Sequence, residues 1–263
     1  MTIGKKLYYL LFCFLGCLLL SACATPPTDP VALKQYEANH DPLEPYNRVV
    51  SDFNFKVNRY VYRPFDKAYR FVVPQSAREC ISNASSNITQ PYYFVNALLQ
   101  GEFEESAQIF GRFFTNTTIG VLGFFDVASM LGIEDTRKDF GETLYKWGWK
   151  EPTPYFVIPF LGPSDIRDTV GRTVGFFLDP VDYAFPRPER RYVIIFRYVV
   201  KGVVAIDDLS ELLENIEKNS IDPYVALRTM YQQNRSKFLN ADDIEAQTEN
   251  YNIDFDFEDE EEF

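Results

Sequence analysis

Nucleophilic and acid–base catalysis need partnered side chains, and this sequence offers few. His40 is the only histidine in 263 residues. Any Ser-His-Asp or Cys-His mechanism would have to run through it, and a histidine-rich metal centre is excluded. No G-x-S-x-G stretch occurs. Aspartate and glutamate number 38. Two of them paired in a cleft could hydrolyse lipid or cell wall, so an envelope hydrolase stays open as an alternative. No cofactor is expected. The residue with the clearest chemical context is Cys23. Leu20-Ser21-Ala22 precede it, behind an apolar run from Leu7 to Leu20 and the cations Lys5 and Lys6. That run is too short and wrongly flanked for a stable span, and it reads as a signal peptide.

Small residues before a cysteine resemble the lipobox of bacterial lipoproteins; the other reading is an ordinary secretory signal with a chance cysteine. The lipobox implies cleavage after residue 22, a thioether-linked diacylglycerol on Cys23 and an N-acyl chain. Each buried acyl methylene contributes ~0.8 kcal/mol, and two or more chains anchor stably. Ala24 stands where enterobacterial lipoproteins kept at the inner membrane carry aspartate. The expected location is therefore the outer membrane, lipid-anchored on its periplasmic side. Removal of residues 1–22 takes the formal charge from −12 to −14, because Lys5 and Lys6 leave. A chain that acidic is a poor nucleic-acid binder. Cys13 and Cys17 leave too, so Cys80 has no internal partner despite an oxidising compartment.

The element that must organise the rest is Ile109 to Gly132. It is about as long as the ~20 residues that cross a bilayer. Arg112, Asn116 and Asp126 interrupt it, and four glycines break its regularity. It reads either as a buried pair of core helices or as a helical element embedded part-way into a membrane, lining a path for something apolar. Around it, helical spacing recurs. Tyr46, Val49, Val50, Phe53, Val57, Tyr60 and Val61 share one face, with Phe55 and Tyr62 on the other beside Asn54 and Asn58. Pro64 should end that helix, and Phe65–Val73 should form a short one. Ala77, Ile81, Ala84 and Ile88 mark a helix with a small-residue face, and Pro91 should open the next, buried through Gln100. On Glu102–Thr118, Phe103, Ala107, Phe110 and Phe114 make the apolar stripe, widened by Ile109 and Phe113, with Glu105, Gln108 and Arg112 opposite. Ser164 should cap a helix whose Gly171 and Gly175 permit close approach. Pro188 to about Ile206, Leu209–Lys218 and Val225 to about Phe238 complete the set.

The expectation is an all-α fold. Residues 1–22 are signal peptide, 23–40 a lipidated tether, 41–240 one helical domain, and 241–263 an acidic, disordered tail. Trp147 to Pro163 is the exception, two Pro/Gly-rich turns around an extended run.

These residues resemble the MlaA family, also called VacJ. The likeness runs from about Asp41 to Phe238. It rests on DPLEPYNR (Asp41 to Arg48), FNFKVNRYVYRP (Phe53 to Pro64), VPQSAR (Val73 to Arg78) and the FVNALLQG run ending at Gly101. RFFTNTTIGVLGFFDVA (Arg112 to Ala128), DFGETL (Asp139 to Leu144), PYFVIPFLGPSDIRD (Pro154 to Asp168) and DPYVALRTMYQQNR (Asp222 to Arg235) carry it on. The resemblance implies a ring-like bundle of amphipathic helices in the inner part of the outer membrane, around an amphipathic channel. It further implies a place beside trimeric porins and the passing of outer-leaflet phospholipid to a soluble periplasmic lipid carrier. The chain departs from the family in Asp207-Asp208-Leu209, where an arginine is usual, and in its acidic tail.

Function is thus expected to be phospholipid transport without chemistry, keeping lipid asymmetry. A structural lipoprotein that only docks a porin or carrier is the main alternative. The lipid-path candidates are Phe55, Tyr62, Arg112, Phe113, Phe114, Asn116, Phe124 and Phe125, with Arg112 and Asn116 placed to meet headgroup phosphate. The gating-loop candidates are Trp147, Gly148, Trp149, Pro152 and Pro154.

Overall fold

The computed structural model describes residues 41–151, 153–186 and 189–240. Cys23, the tether, Pro152 and the acidic tail lie outside the described residues. Helix α1 (Glu44–Val57) runs through a π-helical turn (Asn58–Tyr62) into α2 (Arg63–Val72). Pro64 therefore does not end the helical path, as the sequence suggested. A proline ring collides with the carbonyl four residues back in a regular helix. The wider turn before it, in which the Arg63 amide reaches back to the Asn58 carbonyl, gives that ring room.

Helix α3 (Gln75–Gln100) is also longer than expected, with Pro91 inside it rather than at a new start. It ends at Gly101, whose φ of +80° suits a residue without a side chain. Helix α4 (Phe103–Thr118) packs along α3, and the chain then turns sharply back through Ile119–Phe125 into α5 (Val127–Met130). Gly120 is required there, since a Cβ would stand 2.2 Å from the Phe125 carbonyl oxygen.

Helix α6 (Phe140–Lys146) leads to a hairpin of β1 (Tyr155–Ile158) and β2 (Gly162–Asp165), antiparallel with Tyr155 opposite Asp165. Helix α7 (Ile166–Leu178) is capped by Asp165, not Ser164; the Asp168 amide donates to the Asp165 carboxylate at 2.7 Å. Gly171 and Gly175 do permit close approach, the first to the backbone of Gly141 and the second to the Tyr92 ring. A 3₁₀ turn (Pro180–Tyr183) precedes α8 (Glu189–Asn219), one unbroken helix where the sequence suggested two. Asp207, in its middle, is held by Arg70 of α2 and Arg78 of α3, both at 2.9 Å. Helix α9 (Pro223–Leu239) follows, capped by Asp222.

The interior is the reverse of a soluble domain's. Among the described residues, ten apolar side chains are buried against twenty-four polar or charged ones, and of the expected apolar stripes Val50 and Ile109 are buried while most other members face out. On α1 and the π turn the stripe residues Val49, Phe53, Tyr60 and Val61 are exposed while Val50 is buried, and Phe55 on the other face is buried. On α4, Phe103, Phe110 and Phe114 face out while Arg112 and Asn116 are buried. On α8, Tyr192, Ile195, Phe196 and Val199 are exposed. Leu98 and Leu99 of α3, expected to be buried, are exposed as well. Contiguous apolar exteriors of this kind mark protein or membrane contact. Among the described residues, no helix is long and apolar enough to cross a membrane. The one apolar core gathers Val50, Tyr155, Val157 and Tyr224, so the hairpin is part of the most buried apolar region.

Candidate functional site

A cavity of about 450 Å³ opens beside that hairpin. Its walls come from α1 and the π turn, the hairpin tip Phe160–Pro163, Arg172 of α7, and α8 and α9. Leu209, Leu213, Ile206 and Met230 make much of it apolar. The size falls within the ~300–1,000 Å³ of small-molecule sites. Phe55 and Tyr62, singled out from the sequence, both line it.

What fixes the hairpin tip here is a pair of asparagines on α1. Asn47 donates to the Tyr155 carbonyl at 3.1 Å and accepts from the Val157 amide at 2.8 Å. Asn54 donates to the Ile158 carbonyl at 3.0 Å and accepts from the Phe160 amide at 2.8 Å. Seven helical residues advance about 10.5 Å. Three strand residues advance about 10 Å. The two side-chain amides therefore replace a neighbouring strand along the open edge of β1. Sequence reading saw Asn54 only as polar and missed Asn47, because their partners lie more than a hundred residues away. Asp41 completes the clamp: its carboxylate accepts from Asn47 at 2.7 Å, from Arg228 at 2.8 Å and from the Tyr224 hydroxyl.

Arg112 and Asn116 lie elsewhere, in a polar cleft beside Asp126. The Arg112 guanidinium donates to the Asp126 carboxylate at 2.6 Å, to the Ile133 carbonyl at 2.6 Å and to the Ser129 hydroxyl at 3.0 Å. Asn116 donates to Asp126 at 2.9 Å and accepts from the Ala128 amide at 2.8 Å. Burial pushes the Asp126 carboxyl up, but hydrogen bonds from Ser129 and Asn116 and the Arg112 charge outweigh it and hold it below the usual range. Arg112 and Asn116 thus line a cleft of their own and tie down the re-entrant turn. Phe113 is half-buried, and Phe114, Phe124 and Phe125 are exposed away from the cavity.

Of the gating-loop candidates, Trp147 donates its indole N–H to the Leu99 carbonyl at 2.9 Å and packs edge-on against Phe140. Gly148 has a φ of +115°. The Trp149 carbonyl accepts from Arg167 at 3.1 Å, and Pro154 is half-buried. None of these residues lines the cavity.

Against this geometry, the family model for the MlaA lipoprotein matches residues 39–238. The chain belongs to the MlaA family. It is 35% identical over 240 residues to the "Intermembrane phospholipid transport system lipoprotein MlaA" of Escherichia coli (strain K12), covering 89% of each chain. The protein of the same description from Haemophilus influenzae is 34% identical over 208 residues, covering 76% of this chain and 80% of that one. A solved chain described under "Structural basis for maintenance of bacterial outer membrane lipid asymmetry" superposes with a TM-score of 0.61 at 34% identity. The match covers 76% of this chain and 99% of that one. The MlaA-like helical fold is therefore shared along most of the described chain.

In this MlaA-family chain a charged cluster joins the start of α4 to α6. Lys138 lies 2.7 Å from Glu102, 2.6 Å from Glu105 and 3.3 Å from Glu142, and Lys146 also pairs with Glu102 and, at 3.7 Å, with Glu142. Glu102, Glu105 and Glu142 gather around these two ammonium groups, with Asp139 and Arg235 also acting on Glu142. Burial pushes the Glu142 carboxyl up to about 7, against the pull of Lys138. A raised carboxyl favours folding when protonated. Its stabilisation is full below about pH 4.5 and is lost as pH rises through about 7. Glu142→Gln, which keeps the shape without the charge, should flatten the pH dependence of the melting temperature between those values. A slope equal to the parent's would show that another group governs it.

Proposed function

We propose that this protein is an outer-membrane lipoprotein of intermembrane phospholipid transport. It takes mislocalised phospholipid from the outer leaflet through the cavity beside the hairpin and passes it to a soluble periplasmic carrier, keeping the membrane asymmetric. The observation that carries this reading is an apolar cavity opening within a body whose own exterior is largely apolar. Such a body sits in lipid while offering lipid an internal way through. The names of its relatives support the same reading. A trimeric porin is the proposed neighbour, with the exposed aromatic faces of α4 and the Phe124–Phe125 turn set against lipid or that neighbour. We also propose that the loop from Trp147 to Pro163 holds the moving part, with Trp147, Gly148, Trp149 and Pro154 ahead of the stretch that Asn47 and Asn54 clamp.

The test is reconstitution in vesicles carrying labelled phospholipid, with an acceptor outside. Lipid should leave in a protein-dependent way without release of fatty acid. Release of fatty acid or sugar would indicate a hydrolase, and no movement would leave a docking lipoprotein.

Anchoring gives a separate prediction. Cys23→Ala should remove the acyl chains and yield an unprocessed or soluble form. Fractionation of that variant with the outer membrane at the parent's level would mean that the helical body alone holds it there.

A further inference from the structure

Arg172 is the one charged side chain on the wall of the apolar cavity. Its side chain is exposed. Among the described residues, it has no hydrogen bond and no ion pair. The contrast is with Arg112, Arg197, Arg228 and Arg235, each of which is tied to a carboxylate. A guanidinium at the mouth of an apolar cavity, without a counter-charge in the fold, is free to take one from a ligand. Two further polar groups on the α1 side of the same cavity are also unspent: the Ser51 hydroxyl and the Asn58 side-chain oxygen, both buried and without a partner. Asn58 cannot turn to satisfy that oxygen at no cost, because its amide N–H₂ already donates to the Ser210 carbonyl at 3.3 Å.

We propose that Arg172 holds the phosphate of a phospholipid headgroup inside the cavity. The fork of N–H donors on arginine matches a phosphate's oxygens in pairs. The leucines of α8 and Met230 of α9 offer the acyl chains an apolar wall. The Asn58 oxygen offers an acceptor to a headgroup hydroxyl or ammonium. The same fork would accept free phosphate, but free phosphate has no use for the apolar wall, so the lipid is the ligand. This inference rests on the lipid-transport reading and adds which part of the lipid is held, and by which residue.

The experiment uses the full lipidated protein in detergent micelles. Binding is measured for labelled phosphatidylglycerol, for diacylglycerol with the same chains, and for phosphatidylglycerol in the presence of inorganic phosphate. A charge-assisted hydrogen-bond pair should favour the phospholipid by roughly tenfold or more over diacylglycerol. Arg172→Met should abolish that preference and leave diacylglycerol binding unchanged, with an unaltered melting temperature because the side chain has no partner in the fold. Arg172→Lys should keep part of the preference. If Arg172→Met keeps the full preference, another group holds the phosphate and the inference is overturned. Displacement of phosphatidylglycerol by millimolar inorganic phosphate would make this a free-anion site and overturn it as well. Equal binding of both lipids by the unaltered protein removes the inference and leaves the transport reading standing. Binding of neither removes both.

Discussion

Arg197→Met should lower the stability of the protein by about 3–5 kcal/mol, the cost of removing one member of a buried ion pair. Arg197 is 4% exposed. Its guanidinium bridges the Asp182 carboxylate and, at 2.7 Å, that of Asp179. Both aspartates are buried, and Asp179 also accepts from the Val181 amide at 3.1 Å, capping the 3₁₀ turn before α8. The substitution would leave two neighbouring buried carboxylates with the nearby Lys201 ammonium in place of the guanidinium that bridged them. Folded domains are stable by only ~5–15 kcal/mol, so the loss is a large share. At roughly 2–4 °C per kcal/mol for a chain of this size, the melting temperature should drop by about 6–20 °C. Arg197→Lys should fall between, since an ammonium cannot bridge two carboxylates with a planar fork. Nearby Lys201 should respond too: burial first, and then the Arg197 charge, hold its ammonium below the usual lysine range. Removing that charge should move it back up. A melting temperature within a degree or two of the parent's would show that this bridge contributes little to the fold.

Much of this architecture was legible, but not its orientation. Periodicity located the helices because side chains three and four apart share a face whatever surrounds them. It does not say which face is inside. On α4, Phe103, Phe110 and Phe114 form one stripe and Arg112 and Asn116 another, and in water the first would be core. Here the polar stripe is buried, because its members tie the re-entrant turn and its aspartate together. The prolines misled for a related reason. Pro64 and Pro91 break isolated helices, yet both sit inside continuous helical paths, one beside a widened turn and one within α3 where it packs on α4. Gly171 and Gly175 were read correctly, since only glycine fits where another backbone or ring comes within contact. Phe55 and Tyr62 were singled out for being off the main apolar face, and that difference does place them on the cavity wall. Arg172 was not singled out at all. Its distinction is the lack of a partner, and a lack of partners is a property of the fold that no spacing encodes.

Gly202→Phe should stop lipid movement while leaving the fold intact. Gly202 lies in α8 and on the cavity wall, and a Cβ built there meets nothing within 4 Å. A glycine inside a helix costs about 0.5–1 kcal/mol relative to alanine, so Gly202→Ala should be neutral or stabilising and should leave the cavity open. The phenylalanine variant enters the same open space with a ring that narrows a cavity of about 450 Å³. If this cavity is the path, vesicle-to-acceptor transfer should fall by about tenfold or more in Gly202→Phe, equivalent to roughly 1.4 kcal/mol on the barrier, and should stay near the parent's rate in Gly202→Ala. The melting temperatures of both should match or exceed the parent's. The comparison separates blockage from unfolding because the two variants share the backbone change and differ only in bulk. Transfer at the parent's rate by a folded Gly202→Phe would show that lipid passes elsewhere, along the exposed aromatic faces instead of through the body.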